Sequence, residues 1–370
     1  MVKRRPGEVP VAVVVSAHGF GHAARACAVV EALASLCPGL HPHILTTVPR
    51  WFFDDSLTVP FTMHRLRTDV GLVQRTPLEE DLEATVRRLD VLLAQASGVL
   101  DRLTRRIDRT GCPVVISDIA PLGIAAAGRL GAASVLVENF TWDWIYRGID
   151  PPHPALLGHA AAMAELFAGA DLHLQTEPAC RRWSGAVAVP PVARASRTNP
   201  ELIRRRLGVP AGDPMVLLTM GGVGWDYRAL AALTEHPRAT FVVPGGGRAH
   251  RRRGRLVVLP FCSDFFHPDL VSAADVVVGK LGYSTVAETW QAGSAMAFIS
   301  RPRFPESPVL AEFVRRTMSS AEITEGAFND GSWLTSIDRL LDEPRRVRRR
   351  TDGALQAADA IVDRFGYLLR

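Results

Sequence analysis

The chain has 370 residues, 47% hydrophobic and 22% charged, a usage that excludes disordered, collagen-like and coiled-coil proteins and, at roughly 100–200 residues per domain, implies two domains. A net charge of +5 could suggest nucleic acid, but 41 of the 43 basic residues are arginines scattered along the chain. The dense runs Arg248–Arg255 and Arg345–Arg350 lack interleaved aromatics and read as solvated loops, so no nucleic-acid partner is expected.

Val9–Ser16 is a continuous β-branched run, as a strand buried on both faces of a parallel sheet requires. A helix follows over His22–Leu36, then strands over His43–Thr47 and Phe61–Leu66. From Pro77 to Arg109, apolar residues recur every three or four positions, broken only at Ala96–Ser97, which predicts one long helix or a helix pair. Then come strand Pro113–Ser117, helix Pro121–Leu130, strand Ser134–Val137, helix Pro154–Ala168 and strand Asp171–Gln175. Pro190–Pro191 and Arg194–Pro200 form a Pro-rich break suited to a linker.

The alternation then restarts. Strand Met215–Thr219, helix Tyr227–His236 and strands Thr240–Val243 and Arg255–Leu259 precede a short helix, Pro268–Ala273. Strand Asp275–Val278, helix Gly282–Ala292, strand Ala295–Ile299 and helix Val309–Arg315 complete the pattern. The fold class is α/β, two doubly wound parallel units, with ligands expected at the carboxyl ends of strands, in the cleft between them.

Three loops after strands carry chemistry. Ser16-Ala17-His18-Gly19-Phe20-Gly21-His22 joins the first strand to its helix. Gly19 and Gly21 permit a sharp turn and close approach of a ligand to a helix N-terminus. Gly19, Gly21 and Ala24 also fit a dinucleotide fingerprint, but His43–Val48 lacks the acidic residue that would hold the ribose. His18 and His22 are candidate proton acceptors in this turn. Asp118, at the end of the strand Pro113–Ser117, lies on the same sheet edge. It could orient the His22 imidazole or cap the helix starting at Pro121.

The third loop runs from Val278 to Glu288. Gly282, the helix N-terminus, Ser284 and Thr285 would cradle a diphosphate, with Lys280 adding charge. No Walker A loop is present. Glu288 could accept from ribose hydroxyls, or pair with Thr285 in a capping box. No stretch approaches the ~20 apolar residues of a membrane span, and no secretory leader is apparent, so a cytoplasmic protein is expected. Five cysteines without a CxxC pair argue against a disulfide framework and a cysteine zinc site.

Gly279–Gly293 resembles the donor-binding segment of GT-B glycosyltransferases, typically His-Cys-Gly-Trp-Asn-Ser-x-x-Glu in plant UDP-glycosyltransferases. Gly282, Thr285 and Glu288 match in role, Tyr283 replaces the Trp, and Lys280 replaces the His. A fuller resemblance, over most of the chain, is to the glycosyltransferase-like N-terminal domain of L-arabinokinases. It is carried by Gly19–Ala23, Ser117-Asp118, Asn139–Tyr146, Gly279–Tyr283, Arg303-Phe304 and Glu306–Pro308. The kinase half and its phosphate loop are not seen, and kinase activity is not expected.

The resemblance implies a GT-B fold. Residues 1–192 would form the acceptor-side Rossmann-like domain, 193–352 the donor-side domain, and 353–370 a helix crossing back onto the first. It implies an inverting, metal-independent, cofactor-free transferase acting on a nucleotide-sugar, UDP-sugar foremost, and a small-molecule or glycoconjugate acceptor. His22 would be the base, Asp118 its partner and His18 an understudy. Gly221 and Gly222 would flank the diphosphate, Phe261 would meet the nucleobase and Glu306 the donor sugar. Trp142 and Trp144 either wall the acceptor site or, with Tyr146, pack at a domain seam. A nucleotide-sugar-binding module without transfer and a UDP-sugar epimerase of the same fold are the alternatives. Oligomeric state is not implied.

Overall fold

Strands rich in Val, Ile, Leu and Ala, bounded by glycine turns and separated by helices, build two sheets, as the alternation requires. The structure, a computed structural model, describes residues 7–222, 230–343 and 352–370. The first sheet contains β1 (Val9–Val15), β2 (Leu40–Thr46), β3 (Thr62–Arg65), β4 (Val114–Asp118), β5 (Ala133–Glu138), β6 (Leu172–Thr176) and β7 (Val187–Val189). Its order is β3-β2-β1-β4-β5-β6-β7, with every pairing parallel. The order reverses at β1 and β4, where Val15 pairs with Asp118. That reversal is the switch point at which a doubly wound sheet opens a crevice.

The second sheet contains β8 (Met215–Thr219), β9 (Thr240–Gly247), β10 (Arg251–Arg253), β11 (Leu256–Pro260), β12 (Val276–Lys280), β13 (Ala295–Ile299) and β14 (Ser320–Glu322). Its order is β10-β11-β9-β8-β12-β13-β14. Only β10 is antiparallel among the described strands. Here the switch lies at β8 and β12, where Thr219 pairs with Gly279. Each sheet thus opens its crevice beside a loop singled out in the sequence.

Several elements depart from the sequence reading. The periodic stretch after Pro77 is a helix pair, Leu82–Ala94 and Ala96–Thr110. It begins only at Leu82 because the Asp81 side chain accepts from the Ala84 amide and caps it. Part of the run Arg248–Arg255 is the exposed edge strand β10 rather than loop, while Arg345–Arg350 lies outside the described residues. The helix expected over Tyr227–His236 lies partly outside them, and Leu230–Leu233 is helical. The helix Gly353–Phe365 packs Ala354, Ala357, Ala358, Ile361 and Phe365 into the core beneath the first sheet, beside Val189 and Val192. No helix among the described residues is long and apolar enough to cross a membrane.

Candidate functional site

The two switch points face one cavity of roughly 420 Å³. From the first unit it is lined by His18, Gly19, Phe20, Gly21, His22, Arg25 and Phe140; from the second by Gly221, Gly222, Phe261, Lys280, Gly282, Ser284, Thr285, Glu288, Arg301 and Glu306. The walls are close: a Cβ on Gly21 would stand 3.4 Å from Ser284 Oγ, and one on Gly222 would strike the Phe20 ring at 2.5 Å. A larger residue than glycine at position 222 would have to displace the Phe20 ring.

Two helices begin at this cavity. Gly21–Leu36 follows β1 and Tyr283–Ala292 follows β12. Neither has a side-chain cap on its first turn, and neither carries an acidic residue there. Their amide N–H groups are therefore available to a ligand, and the positive ends of both helix dipoles favour an anion. The capping-box reading of Thr285 and Glu288 does not hold, since Gly282 caps the helix without a side-chain bond. Glu288 is buried and accepts from Arg194 Nε at 2.9 Å, with His267 Nδ1 3.0 Å from its other oxygen. Burial would raise its pKa, but Arg194 and His267 outweigh that and hold it below the usual carboxylate range.

On the first wall, His22 Nδ1 lies 3.1 Å from Asp118 Oδ1. Asp118 is fully buried at the end of β4. The N-cap of the following helix is Ala120, so Asp118 orients His22 rather than capping. It also accepts from Arg25, Nε to Oδ2 at 2.8 Å and Nη2 to Oδ1 at 2.7 Å. Burial would push the carboxyl up, yet the Arg25 guanidinium and the His22 contact hold it below its ordinary value. An ionised carboxylate only accepts, so the shorter contact makes His22 Nδ1 the donor and leaves Nε2 to face the cavity, although Arg25 Nη2 also stands 3.4 Å from that Nδ1. Ile119, directly after Asp118, has φ of +41° and is fully buried. A β-branched residue in the left-handed region is strained, and such strain concentrates at functional sites.

Arg25 was not foreseen from sequence. It is buried, and its Nη1 donates to Asn139 Oδ1 at 2.6 Å. Asn139 Nδ2 in turn donates to Glu306 Oε1, on the second unit, at 2.7 Å. A continuous buried chain, His22–Asp118–Arg25–Asn139–Glu306, therefore joins the two units behind the cavity. Its members lie 93 to 167 residues apart at each long step, which is why local pattern gave no sign of it.

The two histidines differ. His18 Nδ1 accepts from the Leu72 amide at 3.3 Å. Burial, then the charges of His22, Arg301 and Lys280, lower its pKa well below the ordinary value, so it stays neutral and presents Nε2–H as a donor. On the facing wall, burial followed by Arg301 lowers Lys280 to about 7. Lys280 has no hydrogen bond or ion pair among the described residues. Arg301 lies 3.5 Å from Glu80 and 3.6 Å from Glu306, and its Nε has no partner.

Trp142 and Trp144 do not line the cavity. Trp142 is fully buried, donates to Asp69 at 3.3 Å and stacks on Tyr146, and Trp144 packs against the same apolar cluster. They back the site from behind, with the Trp142 ring 5.1 Å from His18 and 5.9 Å from His22. The aromatic wall is Phe20, Trp51, Phe52 and Phe261, with ring centroids 4.9–5.9 Å apart. Trp51 and Phe52 were missed because their helix, Arg50–Ser56, has only seven residues and too little periodicity to read.

No protein-family model matches the chain. Over 88% of its length it is 25% identical to an L-arabinokinase of Arabidopsis thaliana, of which it spans only 32%. Among solved structures it is similar to the glycotransferase of kitacinnamycin (TM-score 0.64, 16% identity, covering 96% of this chain and 99% of that one). A UDP-glucosyltransferase from Polygonum tinctorium is similar at TM-score 0.62 and 14% identity, over 96% of this chain and 98% of that one. MurG of Acinetobacter baumannii is similar at TM-score 0.52 and 17% identity, over 97% of this chain and 99% of that one. The two facing doubly wound units are the GT-B fold of these glycosyltransferases.

Proposed function

We propose that the chain is a glycosyltransferase that moves a sugar from a nucleoside-diphosphate sugar, UDP-sugar foremost, to an acceptor hydroxyl. The observation that carries this reading is the pair of uncapped helix N-termini aimed into one cavity beside His22. The names of similar structures, among them a glycotransferase and a UDP-glucosyltransferase, favour transfer over mere binding. The L-arabinokinase relative is similar in sequence over 88% of this chain, and its kinase activity does not extend to a chain that spans 32% of it.

In the reaction, His22 Nε2 takes the proton of the acceptor hydroxyl, and the acceptor oxygen attacks the anomeric carbon from the face opposite the diphosphate. The anomeric bond to the diphosphate breaks, and the configuration inverts. Asp118 holds the imidazole and balances the imidazolium that forms. The diphosphate leaves toward the N-terminus of Tyr283–Ala292, Ser284, Thr285, Gly221–Gly222 and Lys280, which together supply positive potential to the developing charge. Glu306, held by Asn139, faces the donor sugar. Phe261 stacks on the nucleobase. The units containing the first and second sheets are then the acceptor and donor sides.

A thermal-shift panel of UDP, dTDP, GDP, ADP and NAD tests this reading, since a ligand of the native state raises its melting temperature. UDP or dTDP should stabilise most. Stabilisation by NAD alone would overturn the transferase reading. Turnover of a UDP-sugar without any acceptor would move it to epimerisation.

A further inference from the structure

At the end of the first sheet opposite the cavity, β1 and β2 begin beside one another. Glu8 immediately precedes β1, and His41 and His43 stand two residues apart on β2, so both histidines point to the same face. The register sets His43 beside Thr62 on the edge strand β3, and places Thr62 and His64 on that face as well. One donor atom each from Glu8, His41 and His43 lies within 4.8 Å of the other two. None of these residues lines the catalytic cavity.

We propose that Glu8, His41 and His43 form a binding site for a divalent transition-metal ion, with Zn²⁺ the ion their donor set suits best. Two imidazoles and a carboxylate are borderline ligands of the kind zinc takes, whereas calcium and magnesium call for oxygen alone.

What separates this cluster from a chance meeting of histidines is the second nitrogen of each ring. His41 Nε2 is 2.8 Å from Thr62 Oγ1, which leaves Nδ1 turned toward Glu8, whose Oε1 is 3.9 Å away. His43 Nδ1 is 3.3 Å from His64 Nε2, which leaves His43 Nε2 for the metal. Ligating histidines characteristically have their other nitrogen held this way, which fixes ring orientation and tautomer. Metal–donor distances of about 2.0–2.2 Å need the three donors drawn in to roughly 3.3 Å of one another. The side chains of Glu8 and His41 are 22% and 21% exposed and have room to make that movement. The same exposure admits water to the remaining coordination position. A bound ion would fasten the entry of β1 to β2, with β3 supplying the outer contacts, and so would stabilise the sheet edge rather than take part in sugar transfer.

The test uses the full chain, stripped with a chelator and titrated with Zn²⁺ against a chromophoric competitor, with Co²⁺ as a spectroscopic probe. One ion should bind per chain, and the melting temperature should rise with metal concentration. Glu8→Gln, His41→Ala and His43→Ala should each abolish stoichiometric binding. Thr62→Val and His64→Ala should weaken it roughly 10–100-fold, as loss of an outer contact does. His236→Ala, in the other unit, should leave the metal stoichiometry and affinity unchanged. Glu8 precedes the first strand, so Glu8→Gln keeps the test valid if a β2 variant misfolds by circular dichroism. No stoichiometric binding, or binding that survives Glu8→Gln, would overturn the proposal.

Discussion

On the wall built from the first sheet, the charged groups are matched. Asp118 meets Arg25 twice and His22 once, and Arg25 passes through Asn139 to Glu306. On the facing wall, Lys280 makes no hydrogen bond or ion pair among the described residues and feels Glu306 and Glu80 only at longer range, Arg301 keeps an orphaned Nε beside its two carboxylates, and the first turn of Tyr283–Ala292 is uncapped. The first wall is complete without a ligand, closed through Asn139 onto Glu306 of the second unit, with its proton acceptor fixed in orientation. The second is complete only with an anion in place. Rigid chemistry opposite unsatisfied positive charge is the division of labour that transfer from a diphosphate donor demands. Breaking the first wall should therefore cost catalysis and folding, and breaking the second should cost binding.

The largest effect expected is on turnover. His22→Ala should lower sugar transfer by roughly a hundred- to ten-thousandfold, the usual worth of a general base, while UDP affinity by calorimetry stays unchanged. Equal loss in both would place His22 on the donor instead.

Next is stability. Arg25→Met leaves Asp118 buried without its cation, which should cost about 3–5 kcal/mol in urea unfolding. A loss under ~1 kcal/mol would show that Asp118 is satisfied some other way.

Smaller still is the effect at the second wall. Lys280→Met should weaken UDP binding by about ten- to a hundredfold, the range of a charge-assisted hydrogen bond, with folding stability no lower than wild type because a desolvated cation is removed.

The subtlest test is pH. Lys280 is charged below about 7 and neutral above it. A diphosphate prefers the charged form, so binding should take up a proton, and UDP affinity should fall above pH 7 by up to about tenfold per unit. Lys280→Arg, charged throughout, should flatten that slope.

These comparisons also show what the sequence could reveal. Strands such as Val9–Val15 and Val276–Lys280, and the glycine turns that follow them, are written in local composition and were legible. So were His22, Lys280 and Ser284, because a turn between strand and helix fixes which end of the sheet they reach. Glu288 was harder, since its partners Arg194 and His267 come from 94 and 21 residues away. Trp142 stands in an aromatic run that looks the same whether it faces a ligand or a core, and burial alone separates the two. The histidines of β2 went unnoticed because only strand register places Glu8 and Thr62 beside them.

The most direct test of the two-wall account is a crystal structure of the chain with UDP. The account predicts the diphosphate between Gly221–Gly222 and the first turn of Tyr283–Ala292, within contact of Lys280, with the His22–Asp118–Arg25 contacts unmoved. UDP bound outside the cleft, or a first wall that must rearrange to admit it, would contradict the account.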